Sequence, residues 1–195
     1  MGEPAYHFSH DPAITEFVPH VAPTSAEPRP YVWAIDAEHA AAYWFPRDCP
    51  RVTFWPVAPP DAVATALLAG ARRVHAVEWA WLERIRDAVL YRYEFDATVF
   101  RRYDRAAGYL VAAQPVRPVA VHPLGDLLAA HAGAGIELRL VPDLWLLAEL
   151  VQRSGLEFSM IRMRNAGVAT VAGAAAATVA GAAGAAAVDD VEFPR

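Results

Sequence analysis

The brevity and mixed character of the apolar segments limit this chain's fold more than any other feature. AYHFS (5–9), PYVWAI (30–35), VTFWP (52–56), RRVHAVEW (72–79), LYRYEF (90–95), AGYLVA (107–112), VRPVAV (116–121) and IELRLV (136–141) each read as a short strand. Polar or small residues interrupt them, so none is the continuous apolar run that a parallel sheet covered on both faces requires. These short strands alternate irregularly with short helices. That pattern predicts an α+β fold with a mixed or mostly antiparallel sheet and short flanking helices, not a doubly wound parallel sheet. AGYLVA and VRPVAV read as neighbours, the second an edge or bulged strand because Pro118 cannot donate to a ladder.

Helix signals are equally short. Asp36 stands where it would cap a helix over 37–45, with Ala37, Ala40, Ala41 and Trp44 on one face and Pro46 as the stop. Asp11 and Pro12 suggest a helical turn over 13–17. Residues 61–69 read as a helix ended by Gly70, and 80–87 and 124–132 as further helices. Asp96 would cap a short helix through Arg102. Asp143 would cap a helix whose Leu144, Leu147, Ala148 and Val151 form an apolar stripe. LEFSMIRMRN (156–165) fits a last helix, with Leu156, Met160 and Met163 inward.

At 55% hydrophobic and 20% charged, the 195 residues are expected to build one globular domain over 1–165. The remainder, 166–195, opens with a run of Ala, Gly, Val and Thr that has no charge through residue 188. Its lack of Leu, Ile and Phe argues against a membrane span and for a disordered tail. A lone cysteine, Cys49, and an N-terminus without a basic and then apolar leader fit a cytoplasmic protein. The net charge of −5 speaks against a strongly nucleic-acid-binding surface, though a local basic patch stays open. All 17 basic residues are arginine, so Schiff-base lysine chemistry is excluded and bidentate anion contacts are available.

Four stretches could carry chemistry. YHFS places His7 and Ser9 in the first strand, where a histidine can bond a ribose hydroxyl or, alternatively, the sheet backbone. His10 adds no metal site, for want of a third ligand at suitable spacing. The run 36–51 holds Glu38, His39, Tyr43, Arg47, Asp48, Cys49 and Arg51. Arg47 and Arg51 in the stiff PRDCPR loop suit phosphate or carboxylate capture, or else pair with Asp48. Glu78, at a strand end beside Trp79, could act as an acid or base, or form a salt bridge. Arg162 and Arg164 of RMRN, with Glu157 upstream, would lie on different helix faces, so at most one points into a site, or both read as helix-terminal charges. Walker A, GxGxxG, GxSxG, HExxH and CxxC motifs are absent.

Two resemblances bear on these residues. YHFS, VWAID, PRDCPRV, EWAWL, LYRYEF and EFSMIRMRN together resemble an uncharacterised bacterial family of small proteins, over residues 6–165. The order of elements also resembles ADP-ribosyltransferase-type and RNA 2′-phosphotransferase domains. That likeness implies that His7 holds the ribose of NAD, with Ser9 beside it. Tyr43 would stack on nicotinamide and Arg47 or Arg51 would take the pyrophosphate. The family's glutamate would fall at the start of AGYLV, where this chain has Ala107 and Gly108, leaving Glu78 as the candidate acid or base. The implied activity is ADP-ribosyl transfer from NAD or related phosphate-ribose chemistry. The alternatives are a non-catalytic nucleotide- or phosphate-binding module and a hydrolase of unrecognised type. In each case the expected partner is a small nucleotide-type ligand.

Overall fold

The computed structural model describes residues 3–21, 28–56 and 59–167; the expected tail, but for its first two residues, lies outside them. The elements in chain order are strands β1 (Ala5–Ser9), β2 (Val32–Ile35) and β3 (Arg51–Trp55), helix α1 (Ala62–Leu68), β4 (Val74–Glu78), α2 (Leu82–Asp87), β5 (Tyr91–Phe95), β6 (Arg101–Asp104), β7 (Tyr109–Ala112), β8 (Ala120–Pro123), α3 (Leu127–Gly133), β9 (Glu137–Val141), α4 (Leu144–Gln152) and β10 (Glu157–Ile161). This is the expected α+β class, with the strands shared between two sheets. The described residues form two compact units, 3–47 with 88–127 and 48–87 with 128–167.

The first unit holds a six-stranded sheet in the order β6-β7-β2-β1-β5-β8, antiparallel throughout. β2 is central, and all four of its residues are buried. Side chains alternate across a strand, so Val32 and Ala34 enter one core with Ala5, Tyr93, Phe95, Leu110 and Phe17. Trp33 and Ile35 enter the other, with Phe8, Tyr31, Tyr109 and Val111.

The second unit holds a four-stranded sheet in the order β10-β3-β4-β9, antiparallel except for the parallel pair β4–β9. One face carries Val52, Phe54, Val74 and Ala76 under α1 and α4, whose stripe of Leu144, Leu147, Ala148 and Val151 is buried as its spacing predicts. Both helices start at an aspartate. Asp61 accepts from Ala64 N, and Asp143 accepts from Trp145 N and Leu146 N.

Several expected elements come out differently. Residues 157–161 form a strand, not a helix; all five pair with β3, and that ladder outweighs a weak helical periodicity. The helix over 37–45 shrinks to a 3-10 turn, Ala40–Tyr43, because the Asp36 carboxylate binds His39 and fixes the chain in a tighter turn. Residues 13–17 are not helical; Phe17 exchanges two backbone hydrogen bonds with Val116, at 2.8 and 2.9 Å. The helix expected from Asp96 to Arg102 stops at Val99, and β6 follows and pairs with β7. VRPVAV therefore does not neighbour AGYLVA: only Ala120 onward is strand, and it pairs with β5 at the far edge.

Truncating Leu144, which is fully buried, should cost about 2–5 kcal/mol in urea unfolding. Truncating Leu146, 44% exposed on the same helix, should cost less than about 0.5 kcal/mol. Equal costs would contradict the orientation of α4.

Candidate functional site

The best-defined polar constellation lies in the first unit, just past the end of β2. The chain leaves β2 at Ile35 and turns, and Asp36 is the pivot. Its backbone N–H donates to Gly108 O at 3.0 Å, extending the β2–β7 pairing by one residue. Its carboxylate makes three further bonds. Oδ1 accepts from His39 N at 3.0 Å and from His39 Nδ1 at 2.7 Å, and Oδ2 accepts from Arg102 Nη1 at 2.9 Å. Burial pushes the Asp36 carboxyl up, but the bonds from His39 and Arg102 more than offset this and leave it below the usual carboxylate range. Asp36 is therefore ionised at neutral pH and can only accept. Since Asp36 can only accept, the proton of the bond between the two residues belongs to His39 Nδ1.

Gly108 explains the closeness of this couple. Its φ is +74°, and a Cβ there would lie 2.6 Å from His39 Cγ and 2.7 Å from Asp36 Oδ1. No larger residue fits while the couple is in place, so the transferase-type glutamate cannot stand at this position. Beside the turn, Tyr43 Oη donates to Tyr109 Oη at 2.7 Å, and Tyr109 is the Cα partner of Ile35. Asp36, His39 and Arg102 thus form a carboxylate–imidazole couple braced by a guanidinium. A histidine three residues after a strand-ending aspartate was the signal for it. Read as a helix cap alone, Asp36 conceals that role, and Arg102 carried no local signal.

The other candidates fall as follows. His7 is 1% exposed, packed against Phe17 (ring centroids 4.7 Å apart) and Tyr93, with Nδ1 3.4 Å from Trp33 O. Burial pushes it down to about 3, the Trp33 carbonyl only partly resisting, so it is a neutral core side chain. Ser9 Oγ accepts from Asp11 N. Tyr43 and Arg47 also belong to the first unit, Arg47 N donating to His10 Nε2 at 3.4 Å. Arg51 and Glu78 belong to the second. Arg51 is buried and donates to Cys49 O at 2.8 Å, while both Glu78 oxygens accept from Gly167 N at 3.0 and 2.9 Å. Burial pushes the Cys49 thiol up to about 12, which removes it as a thiolate nucleophile. The PRDCPR and RMRN segments do meet in the second unit: Ile161 is the partner of Arg51, and Asn165 Nδ2 donates to Asp48 O at 2.8 Å. Arg162 there is buried and in the left-handed region, with φ +58°. The second unit also buries a histidine pair, His131 Nε2 lying 3.1 Å from His75 Nδ1. Among the described residues no group of three or more His, Cys, Asp or Glu could hold a metal ion, and no helix is long and apolar enough to cross a membrane.

The fold and this cluster define an α+β protein with a braced histidine–aspartate couple. A family model, "Family of unknown function (DUF6886)", matches residues 6–166, and the chain belongs to that family. This agrees with the first of the two sequence resemblances. No curated protein and no solved structure matches the chain.

Two outcomes follow. Gly108→Ala should displace His39 and destabilise the protein by roughly 1–3 kcal/mol in denaturant unfolding, since neither φ nor space admits a Cβ. A neutral effect would contradict the packing of the couple. The second outcome concerns pH. His7 and His75 are held well below their unfolded value, burial being the main cause for each. The unfolded chain therefore binds more protons below the ordinary histidine value, and stability falls as pH drops through it. At pH 5 the cost should be about 2 kcal/mol for His7, with a further loss in the same direction from His75. A stability curve flat from pH 7 to 5 would contradict their neutral burial.

Proposed function

We propose that the first unit is an enzyme that uses His39 as its acid–base group. In this reading Nε2 removes a proton from a water or hydroxyl that attacks a phosphate-bearing substrate, and it returns that proton to the leaving oxygen. Asp36 fixes the tautomer and stabilises the imidazolium that forms between the two steps. Arg102, whose side chain is 43% exposed, keeps guanidinium donors beyond the one given to Asp36, and these can face an anionic substrate. The observation that carries the reading is the 2.7 Å bond from His39 Nδ1 to an ionised, buried Asp36.

The reading stays within the phosphate-ribose chemistry that the element order suggests, but moves the reacting group. His7 is enclosed in the core, and the place of the expected glutamate belongs to Gly108, against which the His39–Asp36 couple packs. In this reading His39 takes the acid–base role for which Glu78 was the candidate. NAD and simple phosphomonoesters and diesters are the compounds to assay first.

On whichever of these the purified protein turns over, His39→Gln should lower kcat by about 10²–10⁴-fold. Asp36→Asn should lower it markedly while the protein stays folded by circular dichroism, because the amide can offer His39 the wrong hydrogen-bond partner. Turnover unchanged in His39→Gln would overturn the assignment.

A further inference from the structure

The first unit carries a second surface that the acid–base couple does not use. β6 is an edge strand, and successive residues of a strand point to opposite faces. Arg102 turns to Asp36. Arg101 turns the other way, onto the face that carries Tyr31, Trp33 and Tyr109. There the arginines and aromatics alternate. Arg29 lies with its guanidinium carbon 5.5 Å from the centre of the Tyr31 ring. Arg101 lies 5.0 Å from the same ring, donates Nη2–H to Tyr31 Oη at 2.8 Å, and sits 5.9 Å from the Tyr103 ring. Tyr103 meets the buried Trp33 edge-on at 4.9 Å and is itself 36% exposed.

Among the described residues, the exposed charges of this strip are cationic. Arg29, Arg101, Arg102 and Arg105 are exposed, while Asp36 is buried against Arg102 and Asp104 is partly buried and accepts from Ala107 N. On a chain of net charge −5 this is a local cationic patch. Charges at a sheet edge can serve only to keep other strands away. The buried Tyr31 ring holds the guanidiniums of Arg29 and Arg101, and the exposed Tyr103 ring beside them adds something that role does not need: a flat surface that accepts a stacked base next to donors that accept a phosphate.

We propose that the face formed by Arg29, Tyr31, Arg101 and Tyr103 binds the base–phosphate unit of a single-stranded nucleic acid, with a base on Tyr103 and phosphates on Arg29 and Arg101. The proposal goes beyond the acid–base reading and does not depend on it, because binding is read without turnover. The hydrogen bond to Tyr31 and the stacking on two rings hold Arg101 in place before a ligand arrives, leaving its remaining donors for phosphate. Recognition of this kind tolerates any base and weakens as salt rises.

The test is fluorescence anisotropy of a labelled eight-nucleotide oligo(U) against the full chain in low salt, with AMP as competitor. Saturable binding is expected, weakened about tenfold by Arg101→Ala and about fivefold or more by Tyr103→Ala. Arg153→Ala, an exposed arginine of the second unit, should leave it unchanged. AMP that displaces the oligomer supports the shared base–phosphate chemistry with a free nucleotide as its source, and oligomer binding that AMP does not touch supports a strand. His39→Gln should bind like the wild type, so loss of the enzyme reading would leave this result standing. No saturable binding of either ligand, or binding that both Arg101→Ala and Tyr103→Ala leave intact, would overturn the proposal.

Discussion

The Asp36 carboxylate is the constraint on which the rest of the first unit's polar architecture depends. It sits one residue beyond the central strand β2 and is 8% exposed, and three donors from two separate chain segments converge on it. An ionised carboxylate in such a place is costly unless its lone pairs are filled. Here one bond closes the local turn, one fixes a histidine ring and one ties the edge strand β6 to the end of β2. Removing any donor would leave part of a buried charge unsatisfied, which costs more than the bond itself contributes. The requirement then propagates. Gly108 must lack a side chain, the helix signal of residues 37–45 must give way to a 3-10 turn, and β6 must reach far enough to deliver Arg102.

The two units bury their polar groups differently. In the first, the buried charge of Asp36 is braced at a turn by the exposed Arg102. In the second, Thr53 and His75 are buried in the sheet and His131 on α3, while Arg51 and Glu78, on the sheet's strands, bond backbone groups. The second unit's pattern is that of a structural knot, satisfied largely by the main chain. This is why the PRDCPR and RMRN segments, the most conspicuous in the sequence, contribute less chemistry than their composition suggests.

Much of the fold was legible in the sequence because local rules and tertiary packing agree there. The Asp61 and Asp143 caps, the α4 stripe and strands β1 to β5 follow from spacing and capping chemistry. What could not be read depends on partners distant in sequence. EFSMI has a helical periodicity that only its pairing with β3 overrides, and Arg101–Asp104 is a strand only because β7 lies beside it. The site was half legible. His39 and Tyr43 stood among the candidate residues, but Asp36 looked like a cap and Arg102 lies 66 residues away. His7 stood open between a ribose contact and the sheet backbone, and the packing of Phe17 and Tyr93 around it, with Nδ1 3.4 Å from Trp33 O, matches the second.

The placement of the Asp36–His39 proton on Nδ1, on which the proposed acid–base role of His39 rests, can be read directly from the ring nitrogens by ¹⁵N-edited NMR of the full chain at neutral pH. The account requires a neutral Nδ1–H tautomer whose proton is shifted downfield and protected from solvent exchange, and loss of both features in Asp36→Asn. An Nε2–H tautomer, or two tautomers in rapid exchange, would contradict it.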